Sequence, residues 1–247
     1  MTTPILYVFA ISHYCEKARW ALDYFGIPYH LKHCMIGMNR DIAKKLGATS
    51  GSLPFLATGD GVVAGSSAIL DWAEAQNARG RPSLSGDNPV EIAAMEKRLD
   101  DKIGVHIRRY YYSNALLSDP KSVRPIFSRD LPLMQKIATT LGWSKIVPLM
   151  ITKMDLGVEQ GIQSRAIVAD EFDWLDALLA DGRPYLAGDI FTRADMTAAS
   201  LLAPLVNPAK HPTYANLALP VAVSDSITQW KNRPCLAWVQ RMYEQHR

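Results

Sequence analysis

The chain has 247 residues, 48% apolar and 21% charged, with a formal charge of +3. That length fits one or two compact domains able to bury a core without disulfide staples. Residues 1–80 carry 7 Lys/Arg against 6 Asp/Glu and the remainder 20 against 18, an even spread that disfavours nucleic-acid binding through phosphate neutralisation.

No apolar stretch reaches the ~18 residues of a membrane span, and no positive leader precedes an apolar block. Three cysteines make no disulfide framework and suggest a reducing compartment. The expectation is a soluble, cytoplasmic protein with no membrane or nucleic-acid partner.

The first 80 residues alternate strand and helix signals. Ile5–Phe9 is a β-rich apolar run. Cys15, Ala18, Leu22 and Phe25 then recur along one face of a helix, which Gly26 stops as a left-handed cap. Residues 28–33 read as a second strand, and residues 41–46 as a short helix closed by Gly47. Phe55–Ala57 and Val62–Ala64 flank a Gly59-Asp60-Gly61 turn, predicting a hairpin with a three-residue loop. Ser66 opens a further helix carrying Ile69, Leu70 and Trp72. The order is βαβαββα, with the first two strands parallel.

Residues 81–87, rich in Pro, Ser and Gly, read as a linker. From residue 88 to 247 the signals are helical throughout. Asn88-Pro89-Val90-Glu91 is a helix start with an N-cap and Pro at the first helical position. Ile92, Met95, Leu99, Ile103 and His106 or Ile107 continue its stripe. Val168, Phe172, Leu175 and Leu179 mark another helix. One begins after Thr192, and a last one passes through Trp238.

The chemistry concentrates at three places in the first 80 residues. Ser12-His13-Tyr14-Cys15 precedes the first helix, whose N-terminal N–H groups favour negative charge. A hydroxyl there can stabilise a thiolate and a thiol can become one; as an isolated feature, Ser12 is simply an N-cap. Leu53-Pro54 precedes the third strand. A cis bond there would turn the Leu53 main chain outward to pair with an extended peptide, although the dipeptide alone favours trans, cis being ~5–6% of X–Pro bonds. Gly65-Ser66-Ser67 opens a helix and offers hydroxyl and N–H groups to a carboxylate, or plain capping. His30, His33 and Cys34 make a poor metal site, because strand alternation sends the two histidines to opposite faces and a zinc site needs three or four convergent ligands.

In this order and spacing, the three places resemble the thioredoxin-like domain of the cytosolic glutathione transferase superfamily. The matching residues are Ser12 with Cys15, Lys17 and Arg19; Gly51-Ser52-Leu53-Pro54; and Ser66-Ser67-Ala68-Ile69. Downstream, Gly188 with Thr192-Arg193-Ala194-Asp195 is similar to the family's Gly-x-x-x-Thr-x-Ala-Asp segment, in which Thr192 and Asp195 would form a capping box. The resemblance implies an α/β thioredoxin-like domain over residues 1–80, a linker over 81–87 and an all-helical bundle over 88–247. It implies a serine-type member, with theta-, zeta- and omega-like classes all compatible and none assigned.

By that resemblance, Ser12 hydrogen-bonds the glutathione thiolate, which attacks a small electrophile. Cys15 is the runner-up, as a thiol exchanger, although its place on the buried stripe favours an inert thiol. Ser52, Leu53, Pro54, Ser66 and Ser67 would bind glutathione. His106, Arg109, Tyr110 and Tyr112 are candidates for an electrophile pocket between domains. The resemblance further implies a two-fold homodimer, a detoxification role and no metal. Three positions depart from the family's pattern: Gly65 where an acidic or amide residue meets the glutathione amino group, Ser52 in place of a lysine, and Ala48-Thr49-Ser50-Gly51 in place of Asn-Pro-x-Gly. They motivate a catalytically silent binding protein as an alternative, with a glutathione-dependent isomerase as a further reading.

Overall fold

The computed structural model describes residues 2–217 and 221–247. Two compact units emerge: Met1–Pro82 with Arg124–Ile146, and Ser83–Val123 with Val147–Arg247.

The first unit holds β1 (Ile5–Val8), α1 (His13–Phe25), β2 (His30–His33), α2 (Asn39–Leu46), β3 (Phe55–Thr58), β4 (Gly61–Ala64) and α3 (Ser66–Gln76). The sheet order is β2-β1-β3-β4. β1 and β2 are parallel, and the other two pairings are antiparallel. Alternation along β1 explains the layering. Leu6 and Val8 are fully buried, as are Ala18, Leu22 and Phe25 of α1 and Ile69, Leu70 and Ala73 of α3, the two helices packing together. Tyr7 points the other way. It stacks on its cross-strand partner Phe55 at 4.9 Å and joins a cluster with Cys34, Ala43, Ile42 and Leu53.

The helix stops are local chemistry. Gly26 (φ 72°) and Gly47 (φ 74°) sit in the left-handed region, and each cap N–H returns to carbonyls of the last turn. The hairpin differs from expectation. Thr58 pairs with Gly61, so its loop is the two residues Gly59-Asp60. Thr58 Oγ1 accepts the Asp60 N–H and donates to the Gly61 carbonyl, drawing Gly61 into the ladder.

The later elements are α4 (Pro89–Arg98), α5 (Val105–Ser118), α6 (Pro120–Ser128), α7 (Leu133–Met154), α8 (Val158–Leu179), α9 (Arg193–Val206), α10 (Val221–Thr228) and α11 (Pro234–His246). Among the described residues beyond Gln76 no strand occurs; Tyr185 and Gly188 form an isolated bridge. Asn88 caps α4 by accepting the Glu91 N–H, with Pro89 in the first turn. Between α4 and α5, residues 99–104 form a π-helical turn; one extra residue per turn there keeps Leu99, Ile103 and Ile107 buried. α5 packs on α8, and α9 on α4 and α11.

The box at α9 forms. Asp195 accepts from the Thr192 N–H at 2.8 Å and the Thr192 hydroxyl at 2.7 Å, and also from the Leu186 N–H at 2.7 Å. Burial pushes the Asp195 carboxyl up to about 6 against the pull of those donors. No helix among the described residues is long and apolar enough to cross a membrane.

Candidate functional site

Three pieces of the first unit are tied together by specific hydrogen bonds. β1 delivers the chain to Ser12, whose N–H donates to the Phe9 carbonyl. Ser12 is the N-cap of α1: its backbone is extended (φ −82°, ψ 117°) and its Oγ accepts the Cys15 N–H at 3.3 Å. A hydroxyl oxygen that accepts from a helix N–H still carries its own proton. Ser12 is half-buried. It therefore caps a helix and can donate to an anion at once.

The second piece is the turn into β3. The Leu53–Pro54 peptide bond is cis, Pro54 is buried and Leu53 half-buried. The preceding loop is pinned by Asn39, whose amide donates to the Gly51 carbonyl at 2.6 Å, and by Ser50, whose hydroxyl accepts the Ser52 N–H. The Ser52 side chain is exposed. Behind the turn, the Pro54 carbonyl accepts the Gly65 N–H at 3.0 Å, bringing it to the third piece, the start of α3.

Gly65 is the N-cap of α3 and supplies no side-chain cap. Its φ of 97° lies where L side chains are strained, while a Cβ built there meets no atom within 4 Å. Ser66 is buried, in the first turn. The Ser67 hydroxyl accepts from the Lys17 ammonium at 2.9 Å. Lys17 is fully buried and lies five residues beyond Ser12 on α1, so a positive charge sits against the α3 N-terminus. Sequence reasoning gave this lysine no role. The available signal was its helical position between Trp20 and Ala21, away from the sector that carries Glu16, Arg19 and Asp23; a charge among apolar neighbours must find a buried partner.

Cys15 is buried, and burial raises its thiol to about 12, against the pull of the Ser12 hydroxyl, the Phe9 main chain and Arg19. A thiol at that level holds almost no thiolate near neutrality. Cys34 and Cys235 are also buried free thiols with raised pKa values, Cys34 at about 11. His30 is exposed, whereas His33 and Cys34 line a cavity of about 430 Å³ with Tyr7, Lys32 and Gln135. Burial lowers the His33 pKa, with Asp130 opposing. Among the described residues no three His, Cys, Asp or Glu side chains group as metal ligands.

The four α5 candidates hold separate places in the second unit. His106 Nδ1 lies 3.1 Å from Ser164 Oγ, and burial lowers its pKa, helped by Arg109 and Lys102. Arg109 pairs with Asp155 at 2.9 Å. Tyr110 is buried beside Trp230, with its hydroxyl accepting from Gln229; it also lines a groove of about 460 Å³ with Ser113, Gly161 and Arg165. Tyr112 is half-buried.

Residues 6–82 match the family model described as glutathione S-transferase, N-terminal domain. No curated protein matches the sequence. Among solved structures, the chain is similar to a glutathione S-transferase of Ceriporiopsis subvermispora in complex with glutathione, at 17% identity and TM-score 0.64 over 99% of this chain and 98% of that one. It is similar to a glutathione S-transferase domain-containing protein of Marinobacter aquaeolei VT8, at 19% identity and TM-score 0.61 over 98% of each chain. A trimeric glutathione transferase of Leishmania gives 16% identity and TM-score 0.59 over 99% of this chain and 43% of that one. At these identities the structures establish a shared fold: a thioredoxin-like N-terminal domain followed by a mostly helical C-terminal part.

Proposed function

We propose that this chain is a glutathione-dependent transferase of the serine type, in which the Ser12 hydroxyl donates to the glutathione thiolate and the thiolate attacks a small electrophilic carbon. The observation that carries the reading is the double use of Ser12, whose oxygen accepts from the Cys15 N–H while its proton stays available to an anion. A hydrogen bond to an ion is worth about 1.5–3 kcal/mol, enough to favour thiolate over thiol. In the reaction the sulfur lone pair forms the new S–C bond, the leaving group departs with its electrons, and Ser12 keeps its proton throughout.

The rest of the tripeptide has matching partners. The Leu53 main chain, beside the cis Pro54, takes the cysteinyl unit as an added strand. The uncapped N-terminus of α3 at Ser66 takes the γ-glutamyl carboxylate, and the buried Lys17 ammonium on Ser67 adds attraction there. Residues 1–80 act as the glutathione-binding domain and 88–247 as the helical domain that carries the electrophile site, with His106, Arg109, Tyr110 and Tyr112 as its candidates; the Tyr110 hydroxyl accepts from Gln229 and keeps its own proton to donate.

A silent binding protein is the second reading, favoured by Gly65, which supplies no side chain where the resemblance expects a partner for the amino group. A thiol exchanger using Cys15 is disfavoured by the burial of that thiol. The deciding experiment is glutathione binding by calorimetry together with conjugation of a halo-aromatic acceptor. Binding with turnover that falls in Ser12→Ala supports transfer; binding without turnover supports the silent protein; no binding at millimolar glutathione refutes both.

A further inference from the structure

Helix α7 is apolar on two opposite faces. One face is buried: Thr139 is 1% exposed and Trp143 6%, with Trp143 against Phe127 of α6. The other carries Leu133, Met134, Ile137 and Leu141, exposed by 72%, 74%, 45% and 80%. Positions 133, 137 and 141 succeed one another at four-residue steps, so they form one ridge, with Met134 beside it. A helix with apolar residues on opposite sides normally has both covered, and a contiguous exposed patch marks an interaction surface.

Charge says what kind of surface. Residues 120–154 hold six of the chain's 27 Lys/Arg but one of its 24 Asp/Glu. The rest of the chain is therefore slightly acidic, and all of the net positive charge lies in α6, α7 and their connection. Halving the chain by domain, as a composition count does, averages this away. Lys136 and Lys145 are exposed. By helical position they flank the ridge, one on each side, with Lys145 one turn beyond Leu141. Arg129 lies 3.9 Å from Asp130, which is the segment's one acidic residue.

An apolar ridge bordered by lysines, on a helix whose other face is anchored in a folded unit, has the pattern of an interfacial helix on anionic lipid. A second copy docked ridge to ridge would bring two strongly basic segments together, which is unfavourable. We infer that the exposed face of α7 seats this protein peripherally on an anionic membrane surface, with Leu133, Met134, Ile137 and Leu141 in the acyl boundary and Lys136 and Lys145 among the headgroups. The seat is independent of the transferase reading. It would bring the protein to acceptors that partition into lipid.

The test is flotation of the full chain with phosphatidylcholine vesicles, with and without phosphatidylglycerol. The protein should float with the anionic vesicles only, and added salt should release it. Leu133→Ser with Leu141→Ser should abolish flotation, and Lys136→Glu with Lys145→Glu should weaken it at least about tenfold. All four side chains are exposed, so circular dichroism and melting should be unchanged; this keeps loss of binding separate from loss of fold. Failure of the unaltered protein to float, or flotation unaffected by the leucine changes, overturns the inference. So does a dimer, seen by light scattering, that the leucine changes dissociate, because the ridge then meets a second copy.

Discussion

The Ser12 hydroxyl has two separable jobs, and substitutions can remove them one at a time. Ser12→Ala removes the cap and the donor together. Ser12→Gly removes the donor but costs only a few tenths of a kcal/mol as a cap. The cap bond to the Cys15 N–H is 3.3 Å, beyond the usual 2.7–3.2 Å range. The cap loss in Ser12→Ala therefore belongs in the lower part of the ~0.5–2 kcal/mol range, a melting shift of a few degrees. Losing a donor to an anion removes about 1.5–3 kcal/mol, and each pKa unit is 1.36 kcal/mol. The bound glutathione thiol should thus rise by about 1–2 units in both variants. Titrating the thiolate ultraviolet absorbance of the complex reads that shift, and calorimetry confirms that glutathione is still bound. Conjugation below the thiol pKa should fall about tenfold or more in both variants, whereas only Ser12→Ala should melt appreciably lower. A bound-thiol pKa unchanged in Ser12→Gly would refute the donor role, even if turnover dropped for other reasons.

Three other substitutions or titrations bear on the same structure. Gly65→Gln places a side chain where an added Cβ meets no neighbour but φ is 97°. It should lower stability by about 1–3 kcal/mol from backbone strain yet tighten glutathione by supplying a partner for its amino group; affinity no better than in Gly65→Ala would remove the amino group from that position. Because all three cysteines are buried with raised pKa values, a disulfide reagent should find almost no reactive thiol in the native protein and three after denaturation, and Cys15→Ala should retain conjugation. Asp195 stands at about 6 when folded against about 3.9 unfolded. Between those values the folded chain holds the extra proton, so this group's contribution to stability falls as pH rises from about 4 to about 6, by at most about 3 kcal/mol. Urea midpoints should show the trend in the unaltered protein and lose it in Asp195→Asn, which should also be about 1–3 kcal/mol less stable for want of one acceptor.

Sequence by itself determined what is decided within a turn of chain. Ser12 over α1, Asn88 with Pro89 and Glu91 over α4, Thr192 with Asp195 over α9, and the left-handed Gly26 and Gly47 are readable because donor and acceptor lie three or four residues apart. The element order of the first unit and the parallel pairing of β1 with β2 followed from alternation and the right-handed crossover, whereas the sheet order β2-β1-β3-β4, with β3 antiparallel against β1, came from the packing. Misreadings began where one residue more or less changes little in local energy: the hairpin loop is two residues, and a π turn interrupts the helix at 99–104. The buried stripe of α1 already put Cys15 inside, as found; only the tertiary structure brought Lys17 to Ser67, 50 residues away, and grouped Arg124–Ile146 with the first unit while leaving the α7 ridge exposed. Each of these depends on which surfaces meet. An apolar residue on a helix looks the same in sequence whether its face is buried in the chain or turned outward, so burial, and with it charge pairing and thiol reactivity, is fixed only when the distant parts pack.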